Sequence, residues 1–224
     1  MTLITFIIPT IGRKSLPNAL QSLINLNQPN WKAIVIFDGV SNNLENPEKY
    51  LPDKFLFFKI KKQGIEDIKN NSGKVRNFGF QTIIKKNINT EYIGFLDDDD
   101  TVHPKYIDYL QEEININPIN DVCIFRMMYP NGYFLPNMYH TKIKVKQFGI
   151  SFAFKKELLN NDNFQNFNNH PYEDFIFLKT LEEKKYKIII SPYISYFVRT
   201  NYEKCYSSYL ENMHSLLPRV AINF

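Results

Sequence analysis

Apolar and polar segments alternate along the first hundred residues in a pattern that predicts strands and helices in turn. Short apolar runs rich in β-branched residues indicate buried strands, and longer mixed segments with helix-start signals indicate helices. The predicted elements are strand 3–9, helix 17–26, strand 31–37, strand 55–60, helix 75–86 and strand 92–96. This order favours an α/β fold with an open sheet of nucleotide-binding topology.

The remainder of the chain continues as mixed α/β sequence. The predicted elements are helix 104–114, strands 122–129 and 133–135, a short segment 150–154, a loop 162–170, helix 172–183, strands 186–191 and 193–198, and helix 209–217. No internal repeat and no linker rich in Gly, Ser or Pro interrupts the pattern. We therefore expect one domain over residues 1–224.

Three predicted strands of the first half end in polar residues. These are Thr10 after the first strand, Asp38 after the second and Asp97–Asp100 after the fourth. In open α/β sheets, ligands bind beyond the carboxyl ends of the strands. The sequence therefore predicts a binding site at this edge.

Composition narrows the function classes. Hydrophobic residues make up 44% and charged residues 22%, as in ordinary globular proteins. The net charge of +4 suits a protein that handles phosphate esters, but it falls short of the basic face that nucleic-acid binding requires. Aromatic residues, at 15%, suit a carbohydrate site and a packed core equally.

Location and cofactor chemistry leave few signals in the composition. No apolar run reaches the roughly 18 residues that span a bilayer, so we expect no transmembrane helix, although peripheral membrane contact stays open. Cys123 and Cys205 are far apart and lack metal-type spacing. Free thiols in a reducing, cytoplasmic environment are the expected state.

Four consecutive aspartates carry the strongest chemical signal. Like charges repel, so Asp97–Asp100 need a cation or strong donors beside them. Mg²⁺ or Mn²⁺ takes one or two carboxylates and completes its shell with phosphate and water. An acidic cap on the following helix is the alternative, but capping needs one acid. In an extended segment, Asp97 and Asp99 would share one face, and Asp98 and Asp100 the other.

Several short motifs, in this order, resemble those of the family 2 glycosyltransferases with the GT-A fold. The matching segments are Phe6–Thr10 with Gly12-Arg13, Val35–Gly39, Lys74–Gly79, Tyr92–Asp100 with Pro104, Gly149–Leu158 and Glu173-Asp174. Each piece is common alone, and their order and spacing make the resemblance specific. It implies a central mixed sheet, with a nucleotide-binding half over 1–100 fused to an acceptor half over 101–224.

The resemblance also implies a set of donor contacts. Asp38 would accept from the base of the nucleotide, Arg76 would lie near the base and diphosphate, and Asp98 near the ribose. Thr10, at the end of the first strand, completes the expected set. An arginine that opens a helix can meet anionic oxygens with both its side chain and the helix N-terminus.

For the reaction, the resemblance implies a metal ligand and a base. Asp99 would bind Mn²⁺ or Mg²⁺, with Asp97 as the first acid of the D-x-D motif. Asp174 would be the catalytic base, in the first turn of a helix whose positive end keeps it ionised. Simple helix-end charge is the alternative explanation of Glu173-Asp174, and His170 is a rival base or further metal ligand.

These features predict a metal-dependent, inverting transferase that moves a single sugar from a nucleotide-diphosphate donor, with UDP favoured, to a carbohydrate or glycoconjugate hydroxyl. The absence of a Gln-x-x-Arg-Trp motif speaks against a processive synthase. A polar loop, Lys61–Gly73, is expected to act as a lid over the donor.

Two other classes stay open. A sugar nucleotidyltransferase would show a Gly-rich loop after the first strand, where Thr10–Lys14 has one glycine. A catalytically silent nucleotide- or glycan-binding module of the same fold is separated only by an assay.

Overall fold

The computed structural model describes residues 2–40, 44, 50, 53–63, 72–161, 164, 166–168, 170–205 and 207–222, with only the backbone of 207–209. Residues 64–71 of the predicted lid lie outside the described residues, so the lid stays a prediction. Parts of the predicted loop 162–170 also lie outside them.

The described residues form ten strands and five α-helices. The strands are β1 (Thr2–Thr10), β2 (Trp31–Asp38), β3 (Phe55–Ile60), β4 (Thr90–Phe95), β5 (Thr101–Val102), β6 (Val122–Met128), β7 (Phe134–Leu135), β8 (Phe152–Lys155), β9 (Ile188–Phe197) and β10 (Val220–Ile222). The helices are α1 (Leu16–Ile24), α2 (Ser72–Lys85), α3 (Tyr106–Ile116), α4 (Glu173–Glu183) and α5 (Ser207–His214). These elements confirm the predicted order. The short β5 and β10 were not predicted, since two or three residues leave no periodicity.

All ten strands belong to one mixed sheet, with the main order β10-β9-β6-β8-β4-β1-β2-β3. Strands β1, β2, β3 and β4 run parallel, and β8 runs antiparallel to both β4 and β6. Strand β9 is parallel to β6. Consequently β1, β2, β4, β6 and β9 all end at the same edge of the sheet. The α/β class with a central mixed sheet is confirmed.

The prediction of two strands over 186–198 is wrong, because β9 runs through Pro192 without a break. A proline lacks the backbone N–H and is expected to end a strand. Here the pairing with β6 passes from Ile124↔Ile190 to Arg126↔Ile194, so an irregularity in the register absorbs Pro192. The single long strand therefore delivers Tyr196 to the same edge as the end of β4.

Close packing of helix α2 on strand β1 positions Arg76, which lies on that helix. A Cβ on Gly79 would lie 2.7 Å from Cγ2 of Ile7, so only glycine permits this approach. Helix α2 begins at Ser72, three residues before the predicted start. Arg76 therefore lies in the second turn rather than opening the helix, and only its side chain can reach a ligand at the edge.

The described residues also bear on membrane insertion. Among them, no helix is both long enough and apolar enough to cross a bilayer.

Candidate active site

The four aspartates form a turn, and this overturns the expected division of their faces. Strand β4 ends at Phe95, and the N–H of Asp100 donates to the carbonyl of Asp97 at 3.1 Å. Because the backbone turns back on itself, Asp97 and Asp100 line a common cavity. Asp98 and Asp99 instead contact Arg13. We call Asp98 and Asp99 the outer pair, and Asp97 and Asp100 the inner pair.

The outer pair is held by a hydroxyl and two arginines. Thr10 Oγ1 donates to Asp98 Oδ2 at 2.6 Å, and Arg13 Nη1 lies 3.2 Å from Asp98 Oδ1. Asp99 Oδ2 lies 2.7 Å from Arg13 Nη1 and 3.1 Å from Arg199 Nε. Burial raises the pKa of Asp98, against the lowering effects of Thr10 and Arg13. The outer carboxylates therefore have cationic partners within the protein.

The inner pair faces a cavity of about 200 Å³ at the edge where β4, β6 and β9 end. Its lining combines carboxylates with aromatic and apolar side chains. The lining residues are Ser72, Arg76, Asp97, Asp100, Met127, Tyr129, Gly149, Ile150, Pro171, Glu173, Asp174, Tyr196 and Val198. The cavity thus joins residues predicted for the donor with the predicted base.

Arg76 bridges the two halves of the chain. Its side chain is 3% exposed, and Nη2 donates to Asp97 Oδ1 at 2.5 Å while Nη1 donates to Glu173 Oε1 at 2.6 Å. Ser72 Oγ also donates to Glu173. Glu173 is therefore engaged by two donors, and its carboxylate fixes Arg76 beside the cavity.

Asp174 lines the cavity from the first turn of α4. Its Oδ1 accepts from the N–H of Phe175 at 2.7 Å. Burial raises the pKa of Asp174 to about 6, with Glu173 and Asp97 also raising it and Arg76 opposing them. Burial therefore raises the pKa of this carboxylate although the helix end favours its charged form. A carboxylate with a pKa near 6 is ionised at neutral pH and is a competent proton acceptor.

Asp100 belongs to the cavity, although sequence reasoning did not select it from the four. Burial and the charge of Asp97 raise the pKa of Asp100 to about 7, against hydrogen bonds from the N–H of Arg199 and from Tyr196. The Tyr196 hydroxyl also accepts from the N–H of Asp97 at 3.0 Å. A turn brings residues i and i+3 together, so the spacing of Asp97 and Asp100 was the sequence signal that could have predicted their shared cavity.

Other predicted residues lie apart from this cluster. Asp38 ends β2, and its Oδ1 accepts from the N–H of Gln63 at 2.7 Å. Within the described residues, no hydrogen bond or ion pair joins Asp38 to the acidic turn. His170 is exposed, and its Nδ1 accepts from the N–H of Tyr172 at 3.1 Å, next to rather than in the cavity lining.

Arg13 and Arg199 contact the acidic turn from two separate loops. Arg13 follows β1, and Arg199 follows β9 in a left-handed conformation at φ 52°. Arg13 was quoted in the opening motif without a role, and Arg199 carried no motif. Only folding brings Arg199 to an aspartate 100 positions away along the chain.

The donor set of the acidic turn was tested against a divalent ion. No group of three or more His, Cys, Asp or Glu in the described part of the chain is arranged to hold a metal. Mg²⁺ and Mn²⁺ need only one or two carboxylates when phosphate and water supply the remaining oxygens. Asp99 is a partly accessible oxygen donor of this kind, whereas Asp97, the other predicted ligand, is also partly accessible but faces the inner cavity. The turn therefore fits a metal that binds together with a diphosphate.

A mixed sheet with acidic residues and a paired Arg–Glu at its carboxyl edge agrees with the GT-A fold that the sequence predicts. The chain matches Glycosyl transferase family 2 over residues 5–190 and belongs to that family. This membership favours a glycosyltransferase over the sugar nucleotidyltransferase considered as an alternative.

Solved structures show the same fold. The chain resembles S. aureus TarS 1-349 with a TM-score of 0.67 and 20% identity, over 96% of this chain and 65% of that one. A longer S. aureus TarS gives 0.65 and 19% identity, over 96% and 39%. TarS 1-349 in complex with UDP-GlcNAc gives 0.67 and 19%, over 89% and 59%. The chain thus spans less than two thirds of these proteins. Among curated proteins, no relative matches.

Proposed function

We propose that this chain transfers a single sugar from a UDP-sugar to the hydroxyl of a glycan or glycoconjugate, with inversion and with a divalent metal. The observation that carries the proposal is the cavity of about 200 Å³ in which Asp174 faces Asp97 and Arg76. A carboxylate with a pKa of about 6 lies there beside the acidic turn, as a base next to a donor site requires.

The donor side of the proposal rests on the parallel half of the sheet. Thr10, Asp38 and Asp98 all lie at the carboxyl ends of β1, β2 and β4, where a nucleotide binds in this topology. TarS has been solved in complex with UDP-GlcNAc and with UDP, which supports UDP as the nucleotide here. We accordingly assign residues 1–100 to the donor and 101–224 to the acceptor and base.

The chemistry follows from the placement of Asp174. Its carboxylate takes the proton of the acceptor hydroxyl as that oxygen forms the new bond to the anomeric carbon. The bond from the anomeric carbon to the diphosphate oxygen breaks in the same displacement, so the configuration inverts. Glu173 is assigned a holding role instead, because Arg76 and Ser72 both donate to its Oε1.

The leaving diphosphate carries charge that the site must offset. Asp99, on the outer face, would hold Mn²⁺ or Mg²⁺, and that ion would neutralise negative charge on the diphosphate. Arg13 and Arg199, which lie against Asp99, add positive charge on the same side of the turn. Arg76 stays between Asp97 and Glu173 and keeps both carboxylates in place.

A donor screen tests the proposal. The chain is incubated with UDP-GlcNAc, UDP-glucose and UDP-galactose, with Mn²⁺ or with EDTA, and release of UDP is measured. We expect slow metal-dependent hydrolysis of one donor above the others. A silent binding module would bind UDP in calorimetry without releasing it from any donor, and that result would reject the enzyme.

A further inference from the structure

The segment between β6 and β8 leaves the cavity and returns to it. Tyr129, directly after β6, and Gly149, shortly before β8, both line the cavity. The residues between them, 130–148, form what we call the rim segment. An acceptor whose hydroxyl reaches Asp174 lies close to both ends of this segment.

The rim segment carries positive charges without acidic residues among them. Between Asp121 and Glu157 the sequence contains neither Asp nor Glu. Lys142, Lys144 and Lys146 are exposed, and no ion pair joins them to an acid within the part of the chain that the structure describes. The cavity that Tyr129 and Gly149 line, at the two ends of the segment, carries a concentration of carboxylates.

Internal contacts hold the rim segment in place. Ile143 and Phe148 are buried, so the side chains between them face outwards. The buried Arg126 donates from Nη1 to the carbonyl of Pro136 at 2.5 Å. The N–H of Gln147 donates to the carbonyl of Lys144 at 3.2 Å and closes a turn. The lysines therefore lie on an anchored surface rather than on a free tail.

Aromatic rings are exposed on the same segment. Tyr139 is 81% exposed and Tyr133 50%, with the Tyr133 ring 6.1 Å from that of Tyr129 in the cavity lining. Such rings stack on sugar faces and keep a polar tip in water. Burial, together with the charges of Arg126 and Lys144, lowers the pKa of His140, which agrees with a positive field along the segment.

We propose that the rim segment binds an acidic acceptor, a glycan or glycoconjugate that carries phosphate or carboxylate groups. This inference rests on the proposed function and adds the class of acceptor to it. The carboxylates of the cavity repel such an acceptor at the reacting hydroxyl, and the lysines at the rim supply the attraction that holds it. A membrane surface fits less well, because membrane-binding segments of this charge are amphipathic helices, and the rim segment, which the structure describes throughout, contains no helix.

Two matched variants test the proposal. K142Q/K144Q/K146Q removes three charges from the rim segment, and K184Q/K185Q/K187Q removes three between α4 and β9, at the opposite end of β9 from Tyr196. Each set contains one left-handed lysine, Lys146 at φ 63° and Lys185 at φ 61°. The probes are inorganic polyphosphate, hyaluronate and neutral dextran, titrated by calorimetry into each folded variant, as checked by circular dichroism.

We expect the rim variant to bind polyphosphate or hyaluronate about tenfold more weakly than the wild type, because each of the three exposed charges contributes a small attraction. The control variant should bind like the wild type, and added salt should weaken wild-type binding. Which of the two probes binds more tightly separates phosphate from carboxylate recognition.

Three results would overturn the inference. These are equal losses in the two variants, dextran binding as tight as that of the anionic probes, and tighter lysine-dependent binding to phosphatidylglycerol vesicles than to either polyanion. UDP titrated into the wild-type chain tests the proposed function separately. If UDP fails to bind while polyanion binding still depends on the rim lysines, the donor assignment falls and the rim surface stands.

Discussion

The outer and inner pairs of aspartates lie in one turn, yet the protein treats their charges differently. Asp98 and Asp99 meet arginines whose side chains are 45% and 74% exposed. Asp97 and Asp100 face a cavity with Asp174, where the buried Arg76 lies between Asp97 and Glu173. Exposed ion pairs contribute at most about 1 kcal/mol and exchange easily, whereas buried pairs are costly to break.

This difference separates two tasks. Exchangeable partners on the outer face suit the binding and release of a charged ligand. Burial in the inner cavity, helped by the charges of Glu173 and Asp97, raises the pKa of Asp174 and makes it a better proton acceptor. Each variant described next changes a residue of one face, and the measurement shows whether the property of the other face also changes.

The largest effect is expected at the inner face, from Asp174→Asn. Asparagine keeps the size and can still accept from the N–H of Phe175, but it cannot take a proton. We expect kcat to fall by roughly 10²–10⁴, about 3–5.5 kcal/mol of barrier, while UDP affinity stays near the wild-type value. Steady-state kinetics and calorimetry measure the two quantities.

The pH profile is the control for that variant. Because the base must be ionised, wild-type kcat/KM should rise with pH through a value of about 6, the pKa of Asp174. The residual activity of Asp174→Asn should lack this rise. Transfer at a near wild-type rate would assign the base elsewhere, and Glu173 and His170 would then be tested.

The next largest effect is expected on the free energy of unfolding, where Arg76 of the inner face is compared with Arg13 of the outer face. Arg76→Ala leaves Glu173 and Asp97 without their shared partner, and removing one member of a buried pair costs about 3–5 kcal/mol. Arg13→Ala on the outer face should cost less, because Arg13 is 45% exposed and Thr10 still donates to the buried Asp98. Urea unfolding measures both variants. Equal losses would show that the two faces do not differ as described.

The smallest effect is expected for ligand coupling at the outer face. UDP should bind more tightly with Mn²⁺ than with EDTA and should stabilise the fold by mass action. Asp99→Ala should abolish this coupling, which we expect to be about 1–3 kcal/mol. The affinity of the Asp99→Ala variant for UDP in EDTA serves as the reference. If the wild-type chain bound UDP equally tightly with Mn²⁺ and with EDTA, that result would contradict the assignment of Asp99 as a metal ligand.

The sequence by itself determined the elements and the edge of the sheet that holds the site. Apolar runs such as 3–9 and 31–37 are short and rich in β-branched or aromatic residues, which favours buried strands, and Thr10 and Asp38 place polar groups at their ends. Motif order led to the family in the same way, because each motif is local. Residues 64–71 still rest on sequence alone.

Only the tertiary structure decided which charges meet. In the turn at Asp97–Asp100, Asp97 shares a cavity with Asp100 and not with Asp99. The reason is that a backbone hydrogen bond closes the turn, so the segment is not extended. Arg76 donates to Glu173, which is 97 positions away in the sequence, and Arg199 donates to Asp99, which is 100 positions away. The pKa of Asp174 depends on burial by surrounding elements, which no local pattern encodes. Local preferences act over a few residues, whereas electrostatics and burial depend on distances that exist only after the chain has folded.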